Sequence, residues 1–238
     1  MTVAVEHLPV VVPEVGDPPE DASVGHPMRA ITDAVAADPS SWTPEVASRV
    51  SELFDEISND WTLFHASERI APLIDALERG GPFPPPVVEV GAGAGAGTKI
   101  LVDRFAPTSR SVSSERASSA LVVATDLVPS MLVRIESSVP RVAVDAHDLS
   151  FADGSIGTLV CVNTLLFADE VRRVLARPGA GDGAGAGVLI WVNTVGERTP
   201  IHLSADTVAA ALGPDFDVVT SRAAWGTWAV ARRGAAQS

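Results

Sequence analysis

Short apolar runs alternate with amphipathic segments from residue 87 to the end of the chain. The apolar runs have the length of strands and are typical of strands covered on both faces. The segments between them have the length and the end signals of helices. Strands are predicted at residues 87–90, 120–125, 142–144, 158–162 and 188–192, and helices at residues 98–105, 129–138, 169–176 and 204–213. This alternation predicts an α/β fold with a mostly parallel sheet covered on both faces.

The last two strand-like runs are arranged differently. Residues 217–221 and 227–232 flank Trp225 and Gly226, with no helix-like segment between them. Two such runs around a short turn predict an antiparallel hairpin at the end of the chain.

The first third of the chain predicts helices behind an irregular start. Helices are predicted at residues 28–37, from Thr43 onward, and at residues 71–79. Residues 1–28 hold five acids, several prolines and no lysine or arginine, which is typical of extended, mobile segments. We therefore divide the chain into an acidic, proline-rich mobile arm (1–40), a helical cap (41–81) and a main domain (82–238).

Composition and charge exclude several classes of function. The net charge is −13 and Lys99 is the only lysine, whereas proteins that bind nucleic acid usually carry a basic stripe. No apolar run reaches the roughly 18 residues of a membrane span. The single cysteine excludes an internal disulfide framework and a multi-cysteine zinc site. We expect a cytoplasmic protein without nucleic acid, membrane or metal as a partner, and the sequence leaves a monomer and a homodimer open.

Two glycine-rich stretches look alike, but one alone has the setting of a ligand-binding loop. Residues 91–97 follow a predicted strand and precede a helix, whose first N–H groups lack partners within the helix. Residues 181–187 follow a helix and precede a strand, which is typical of a surface turn.

Acidic residues stand near the carboxyl ends of three predicted strands. Glu89 precedes the first glycine by two residues, Asp126 ends the second strand, and Asp148 follows the third. In open α/β sheets the ligand lies in the crevice at this edge. The three acids therefore predict a binding site for a ligand with hydroxyl or amine groups, because carboxylates accept hydrogen bonds from both.

With these residues in place, the chain from residue 87 to residue 232 resembles the class I S-adenosylmethionine-dependent methyltransferases. The family's first motif is an acid followed by three alternating glycines, and two later motifs are an acid at the end of the second strand and an acid before a leucine after the third. The matching residues are Glu89, Gly91, Gly93, Gly95, Asp126 with Leu127, and Asp148 with Leu149. The resemblance implies a three-layer Rossmann-like methyltransferase fold, with a seven-stranded, mostly parallel sheet and an antiparallel C-terminal strand.

The resemblance also implies a cofactor and a role for each motif. The cofactor is S-adenosylmethionine and the product S-adenosylhomocysteine. In the family, the acid matched by Asp126 holds the ribose hydroxyls and the acid matched by Asp148 meets the adenine amino group. Glu89 then acts near the methionine end, and backbone groups around Asn163 complete the methionine pocket.

Transfer of a methyl group to a hydroxyl gains from a general base, which is often a histidine. His147 is the first candidate, because the third motif places it on the ligand side of the sheet. His65 is the second, because it precedes a helix suited to covering the cleft. His7 and His26 fall in the predicted mobile arm and are set aside, and His202 follows the fifth strand.

The function hypothesis is O-methylation of a small hydroxylated metabolite, such as a saccharide, a lipid or a polyketide-like compound. Two departures weaken what the resemblance implies for catalysis: Ile156 and Gly157 replace the usual aromatic and acid, and residues 163–167 hold no histidine. One alternative is therefore a catalytically inactive cofactor-binding scaffold. Another is a nicotinamide-dependent oxidoreductase, although its ribose acid is expected about 20 residues after the glycines, and Asp126 lies further away.

Overall fold

The computed structural model of the protein describes residues 3–17, 19–57, 67–105, 122–179 and 185–234. Within these ranges, eight strands form one sheet with helices on both faces. The strands are β1 (Val5–His7), β2 (Val87–Val90), β3 (Val122–Asp126), β4 (Arg141–Ala143), β5 (Thr158–Val162), β6 (Val188–Asn193), β7 (Phe216–Ala223) and β8 (Gly226–Arg233). The helices are α1 (Pro27–Ala37), α2 (Pro44–Ile57), α3 (Ser67–Arg79), α4 (Ala96–Phe105), α5 (Pro129–Leu132), α6 (Ala168–Val174) and α7 (Ala205–Leu212).

The order of the strands creates a crevice beside β2. The order is β1-β7-β8-β6-β5-β2-β3-β4. Strand β8 is antiparallel to its neighbours β6 and β7, and the other pairs are parallel. The chain order reverses at β2, which has β3 on one side and β5 on the other. Loops from the carboxyl ends of β2 and β5 therefore diverge and leave room for a ligand.

Strand β2 shows how alternating side chains supply the two cores. Val88 and Val90 belong to the core that also contains residues of α6 and α7. Val87 belongs to the opposite core, together with Leu73 of α3 and Leu101 of α4. Because side chains alternate along a strand, Glu89 shares the face of Val87 and is buried beneath α4.

A separate apolar cluster lies at the carboxyl edge of the sheet. It joins the first two helices to the loops that follow β5 and β6. Its buried members are Met28, Val35, Trp42, Val50, Leu165, Phe167 and Ile201. Helix α3 falls within the predicted cap but packs on the sheet itself. The first two helices therefore form a roof over the crevice, and α3 forms part of a helical layer.

The α/β class, the layered architecture and the antiparallel strand near the C-terminus are confirmed, but the sheet has eight strands instead of seven. The extra strand is β1, so the prediction of a mobile, unpacked arm is wrong for Val5–His7, which pair with β7. Leu8 N continues the pairing by donating to Thr220 O at 2.8 Å. The physical reason is that the edge of β7 presents N–H and C=O groups that another strand satisfies. The apolar alternation of Val3 and Val5, which pack on the core, was the available signal.

One predicted helix is shorter than expected. The helix predicted at residues 129–138 ends at Leu132. The guanidinium group of Arg141 donates to Leu132 O at 3.2 Å and to Ile135 O at 2.9 Å, so a side chain takes the carbonyls that a longer helix would use. None of the described helices combines the length and the apolarity needed to cross a bilayer.

Removal of residues 1–12 should lower the free energy of unfolding by about 2–4 kcal/mol, because the backbone pairing of β1 and the packing of Val5 and Leu8 are lost. The uncovered edge of β7 should also promote self-association. Urea unfolding and light scattering measure the two effects. The control is Val10→Ser, which changes an exposed side chain of the same segment. A truncated chain that unfolds at the same urea concentration as the full chain would contradict the structural role of β1.

Candidate active site

The loop after β2 brings backbone groups close to the neighbouring segments. Gly91 and Gly95 have φ angles of 68° and 90°, a region that glycine adopts without strain. A Cβ atom on Gly91 would lie 2.8 Å from Thr164 Oγ1, and one on Gly95 would lie 2.8 Å from Ile135 Cγ1. Conformation and space together exclude side chains here, and the backbone of residues 91–93 lines the crevice.

Asp126 ties this loop to the end of β3. Its Oδ2 accepts a hydrogen bond from Gly93 N at 2.8 Å, and its Oδ1 accepts one from Val128 N at 2.8 Å. Burial raises the pKa of Asp126, and hydrogen bonds from Val128, Gly93 and Leu127 oppose that rise. Each oxygen retains a lone pair, so the carboxylate can also accept from the hydroxyls of a ligand.

Glu89 is a buried acid at the centre of the sheet. It is 1% exposed, Thr98 Oγ1 donates to its Oε2, and a Cβ atom on Gly97 would overlap its Oε1. Burial raises the pKa of Glu89 to about 8; the bond from Thr98 lowers it and the charge of Asp126 adds to the rise. The group is therefore mostly protonated at neutral pH, and a cation bound beside it would favour the carboxylate.

The structure corrects the residues predicted at the end of β4. Asp145 lines the crevice, whereas Asp148 is exposed and outside the lining. Leu149 is buried in a core, where its N donates to Glu170 Oε1 at 2.6 Å. The reason is a turn that starts early: His147 N donates to Asp145 Oδ1 at 2.8 Å, so the chain leaves the crevice before residue 148.

Asn163 joins the ends of β5 and β6. Its Nδ2 donates to Thr194 Oγ1 at 2.7 Å, and its Oδ1 accepts from Thr194 N at 2.9 Å. Its φ of 47° is in the left-handed region, which asparagine adopts more readily than most residues. Both residues line the crevice, as the position of Asn163 after the fourth predicted strand indicates.

These strand ends open into one cavity of about 460 Å³, a size that suits a small organic ligand. We call the side formed by the sheet the strand-end wall, and it consists of Glu89, Gly91, Gly93, Asp126, Leu127, Asp145 and Asn163. We call the opposite, mostly apolar side the helical wall, and it consists of Met28, Trp42, Phe54, Phe167 and Ile201.

The segment before α1 also reaches this cavity. Glu20, Ala22 and His26 line it, and Ala22 N donates to Arg198 O at 3.1 Å. His26 caps α1, because its Nδ1 accepts from Met28 N at 3.1 Å. The expectation that His26 lies in a mobile arm, away from any site, is therefore wrong. The signal was present in the sequence, since His26 and a proline directly precede the helix predicted at 28–37.

Comparison with known proteins agrees with this geometry. Residues 88–177 match the model of a family described as a methyltransferase domain. Two solved structures of similar fold are an S-adenosylmethionine-dependent methyltransferase from Thermotoga maritima (15% identity, TM-score 0.54, 76% of this chain and 99% of that one) and another from Aquifex aeolicus (14%, 0.55, 74% and 98%). A third is phosphoethanolamine N-methyltransferase 1 of Haemonchus contortus (14%, 0.51, 84% and 52%). A comparison with curated proteins finds no relative.

Residues 88–177 are therefore a methyltransferase domain, and the fold around them is that of solved S-adenosylmethionine-dependent methyltransferases. The cofactor of the enzyme is S-adenosylmethionine, and the strand-end wall fits it chemically. The glycine loop leaves its backbone open to a ligand, and two acids with raised pKa, Glu89 and Asp126, stand beside it. Such acids suit a ligand that carries a cationic ammonium group and a pair of hydroxyls.

Of the two histidines predicted as bases of this methyltransferase, His147 lies in the described part of the chain. It is exposed, and its ring contacts the edge of Phe167 with 5.3 Å between ring centroids. It does not line the cavity, so it is not placed to act as a base there. His65 lies outside the described residues, and its role stays a prediction. Among the described histidines, His26 alone lines this cavity.

Glu89→Gln should change how the stability of the methyltransferase depends on pH. The pKa of Glu89 is about 8 in the folded protein, above its ordinary value of 4.5. The stabilisation that the protonated Glu89 side chain contributes is fully present below pH 4.5 and is lost as the pH rises through about 8. Between pH 4.5 and about pH 8, the unfolding free energy of the unsubstituted protein should therefore fall by about 1 kcal/mol per pH unit relative to that of the Glu89→Gln variant.

Urea unfolding of the cofactor-free protein at a series of pH values measures this difference. Glu78→Gln is the matched control, because Glu78 is an exposed acid of α3. Curves for the unsubstituted protein and the Glu89 variant that stay parallel at every pH would show that Glu89 ionises normally.

Asp126→Asn should weaken the binding of S-adenosylhomocysteine by about 1–3 kcal/mol, because the hydroxyls of the ligand lose a charged acceptor. Asp148→Asn should leave the affinity unchanged, because Asp148 is exposed outside the cavity. Titration calorimetry measures both affinities, and thermal unfolding verifies that each variant is folded. Unchanged affinity in Asp126→Asn together with weaker binding in Asp148→Asn would support the cofactor role predicted for Asp148.

Proposed function

We propose that the enzyme transfers the methyl group of S-adenosylmethionine to a hydroxyl oxygen of a small, mostly apolar metabolite. S-adenosylhomocysteine is the leaving group, and the hydroxyl proton passes to water. The observation that carries the proposal is the single cavity in which the strand-end wall faces the helical wall. Trp42, Phe54 and Phe167 suit an aromatic or aliphatic surface. A saccharide needs many polar partners, so the helical wall favours a lipid or polyketide-like acceptor.

Most of the cofactor residues predicted from the sequence lie on the strand-end wall. Asp126 accepts hydrogen bonds from the ribose hydroxyls, and Glu89 stands near the ammonium group of the methionine portion. Backbone groups of the glycine loop and of Asn163 border the same portion. Asp145 takes the adenine side that the resemblance gives to Asp148, because Asp145 lines the cavity.

On the helical wall, the side chains position the acceptor and exclude water. When bound, S-adenosylmethionine supplies an electrophilic methyl group, and alignment of the acceptor oxygen with it accounts for much of the acceleration. Oxygen is favoured over nitrogen, because an aliphatic amine is an ammonium ion at neutral pH and would need a carboxylate to bind it and to take its proton before it could accept a methyl group. Both oxygens of Asp145 accept from Trp42 Nε1, at 3.1 and 2.9 Å, and Glu20 is exposed.

The remaining alternative is an inactive scaffold that binds the cofactor without transferring the methyl group. It is favoured by the exposed position of His147 and by the lack of a histidine in residues 163–167. It is opposed by the apolar space across from the glycine loop, which a scaffold has no need to keep open.

The test uses S-adenosylmethionine with a labelled methyl group and three probes. Para-hydroxybenzophenone should take up the label as an ether, whereas para-(aminomethyl)benzophenone, which is an ammonium ion at neutral pH, and glucose should not. The Asp126→Asn variant is the control, since its weaker cofactor binding should reduce labelling at limiting cofactor. Label on the amine would overturn the choice of oxygen. No label on any probe, together with normal binding of S-adenosylhomocysteine, would favour the scaffold.

A further inference from the structure

We propose that His26 selects the acceptor by donating a hydrogen bond from Nε2 to an oxygen of an otherwise apolar molecule, such as a carbonyl next to the aromatic system that carries the methylated hydroxyl. This inference rests on the proposed function, because the acceptor must share the cavity with the cofactor. It assigns a specificity-determining side chain and narrows the acceptor to hydroxylated apolar compounds with a second, hydrogen-bond-accepting oxygen.

The position of His26 is fixed from two directions. Helix α1 is held against the loop after β6, because Arg29 Nη1 donates to His202 O at 3.0 Å. The Thr32 hydroxyl lies 2.7 Å from Met28 O and 3.2 Å from Pro200 O and shares its one proton between them. On its other side, the segment that precedes His26 is bound to Arg198 through Ala22 N. A side chain held in this way can discriminate between ligands without reorganising the wall.

The cap decides which nitrogen of His26 carries the proton. Because Nδ1 accepts from Met28 N, it must hold a lone pair, and the neutral ring then carries its proton on Nε2. In this state Nε2 is a donor, and no group of the described chain accepts a hydrogen bond from it. The cap therefore makes His26 a donor toward the acceptor and disfavours a role as the base.

Other polar groups of the cavity already have partners. Trp42 Nε1 donates to Asp145, and the amide of Asn163 is bonded to Thr194. Met28 and Ile201 contribute apolar surface to the cavity that His26 lines. Arg198 also lines this cavity, and its Nη1 donates to Pro19 O at 3.4 Å. A donor beside apolar side chains orients a ligand, because a ligand oxygen without a partner there is costly.

The test compares para-hydroxybenzophenone with para-benzylphenol, which has the same two rings and hydroxyl but a methylene group in place of the carbonyl. Calorimetry measures the affinity of each for the complex of the enzyme with S-adenosylhomocysteine. The unsubstituted enzyme should bind the ketone about 3–10-fold more tightly. His26→Ser should reduce this ratio to about one, because serine keeps the cap but removes the donor.

His26→Asn should restore part of the preference, because asparagine supplies both a cap and an amide donor. Asp38→Ser is the matched control, since it exchanges one cap for another outside the cavity: Asp38 Oδ1 accepts from Ser40 N at 2.9 Å. The control should keep the full ratio. Thermal unfolding and the affinity for S-adenosylhomocysteine should be the same in all variants.

An unchanged ratio in His26→Ser would overturn the proposal, and so would a failure of both probes to bind an enzyme that does bind S-adenosylhomocysteine. A protein that does not bind S-adenosylhomocysteine at all would instead overturn the proposed function, so the two failures can be distinguished.

Discussion

The burial of the Glu89 carboxyl group in the central strand constrains which residues can surround it. A buried carboxylate is costly without partners, and within the described residues the hydrogen bond to the Glu89 side chain comes from the hydroxyl of Thr98. The nearby Gly97 is required because any side chain there would overlap Glu89. The remaining cost of burial appears as the raised pKa of Glu89. Gly97 and Thr98 at the start of α4 are therefore constrained by an acid eight and nine positions earlier in the chain.

This constraint also gives the site its electrostatic character. Burial raises the pKa values of both Glu89 and Asp126, and the charge of Asp126 adds to the rise at Glu89. A ligand that brings a cation close to one of them relieves part of this cost, so its binding is linked to the loss of a proton. The carboxylate of Asp126 accepts hydrogen bonds from Gly93 N and Val128 N, and these bonds hold the glycine loop in position. The strand-end wall is thus formed in advance and selects for a cation through the energy of its own acids.

Most of the strand-end wall could be predicted from the sequence because its signals are local, and Asp145 could not. A glycine loop between a strand and a helix, and an acid at the end of a strand, are set by the geometry of the strand ends. The failures have equally specific causes. Asp148 matches the family's motif, but Asp145 Oδ1 accepts a hydrogen bond from His147 N. The chain therefore turns away from the crevice before it reaches Asp148. Strand β1 was missed because proline-rich, acidic composition outweighed the short alternation of Val3 and Val5, and because its partner, β7, lies more than 200 residues away.

The residues of the helical wall could not be predicted from the sequence in the same way. Its parts come from α1, α2 and the loops after β5 and β6, and backbone carbonyls of Pro200, His202 and Arg198 fix their relative positions. Backbone acceptors leave no trace in the identity of the residues that provide them. The frame of this wall therefore does not depend on the types of the residues that provide these carbonyls. The side of the cavity to which we assign the acceptor is for that reason the side on which sequence motifs are least informative.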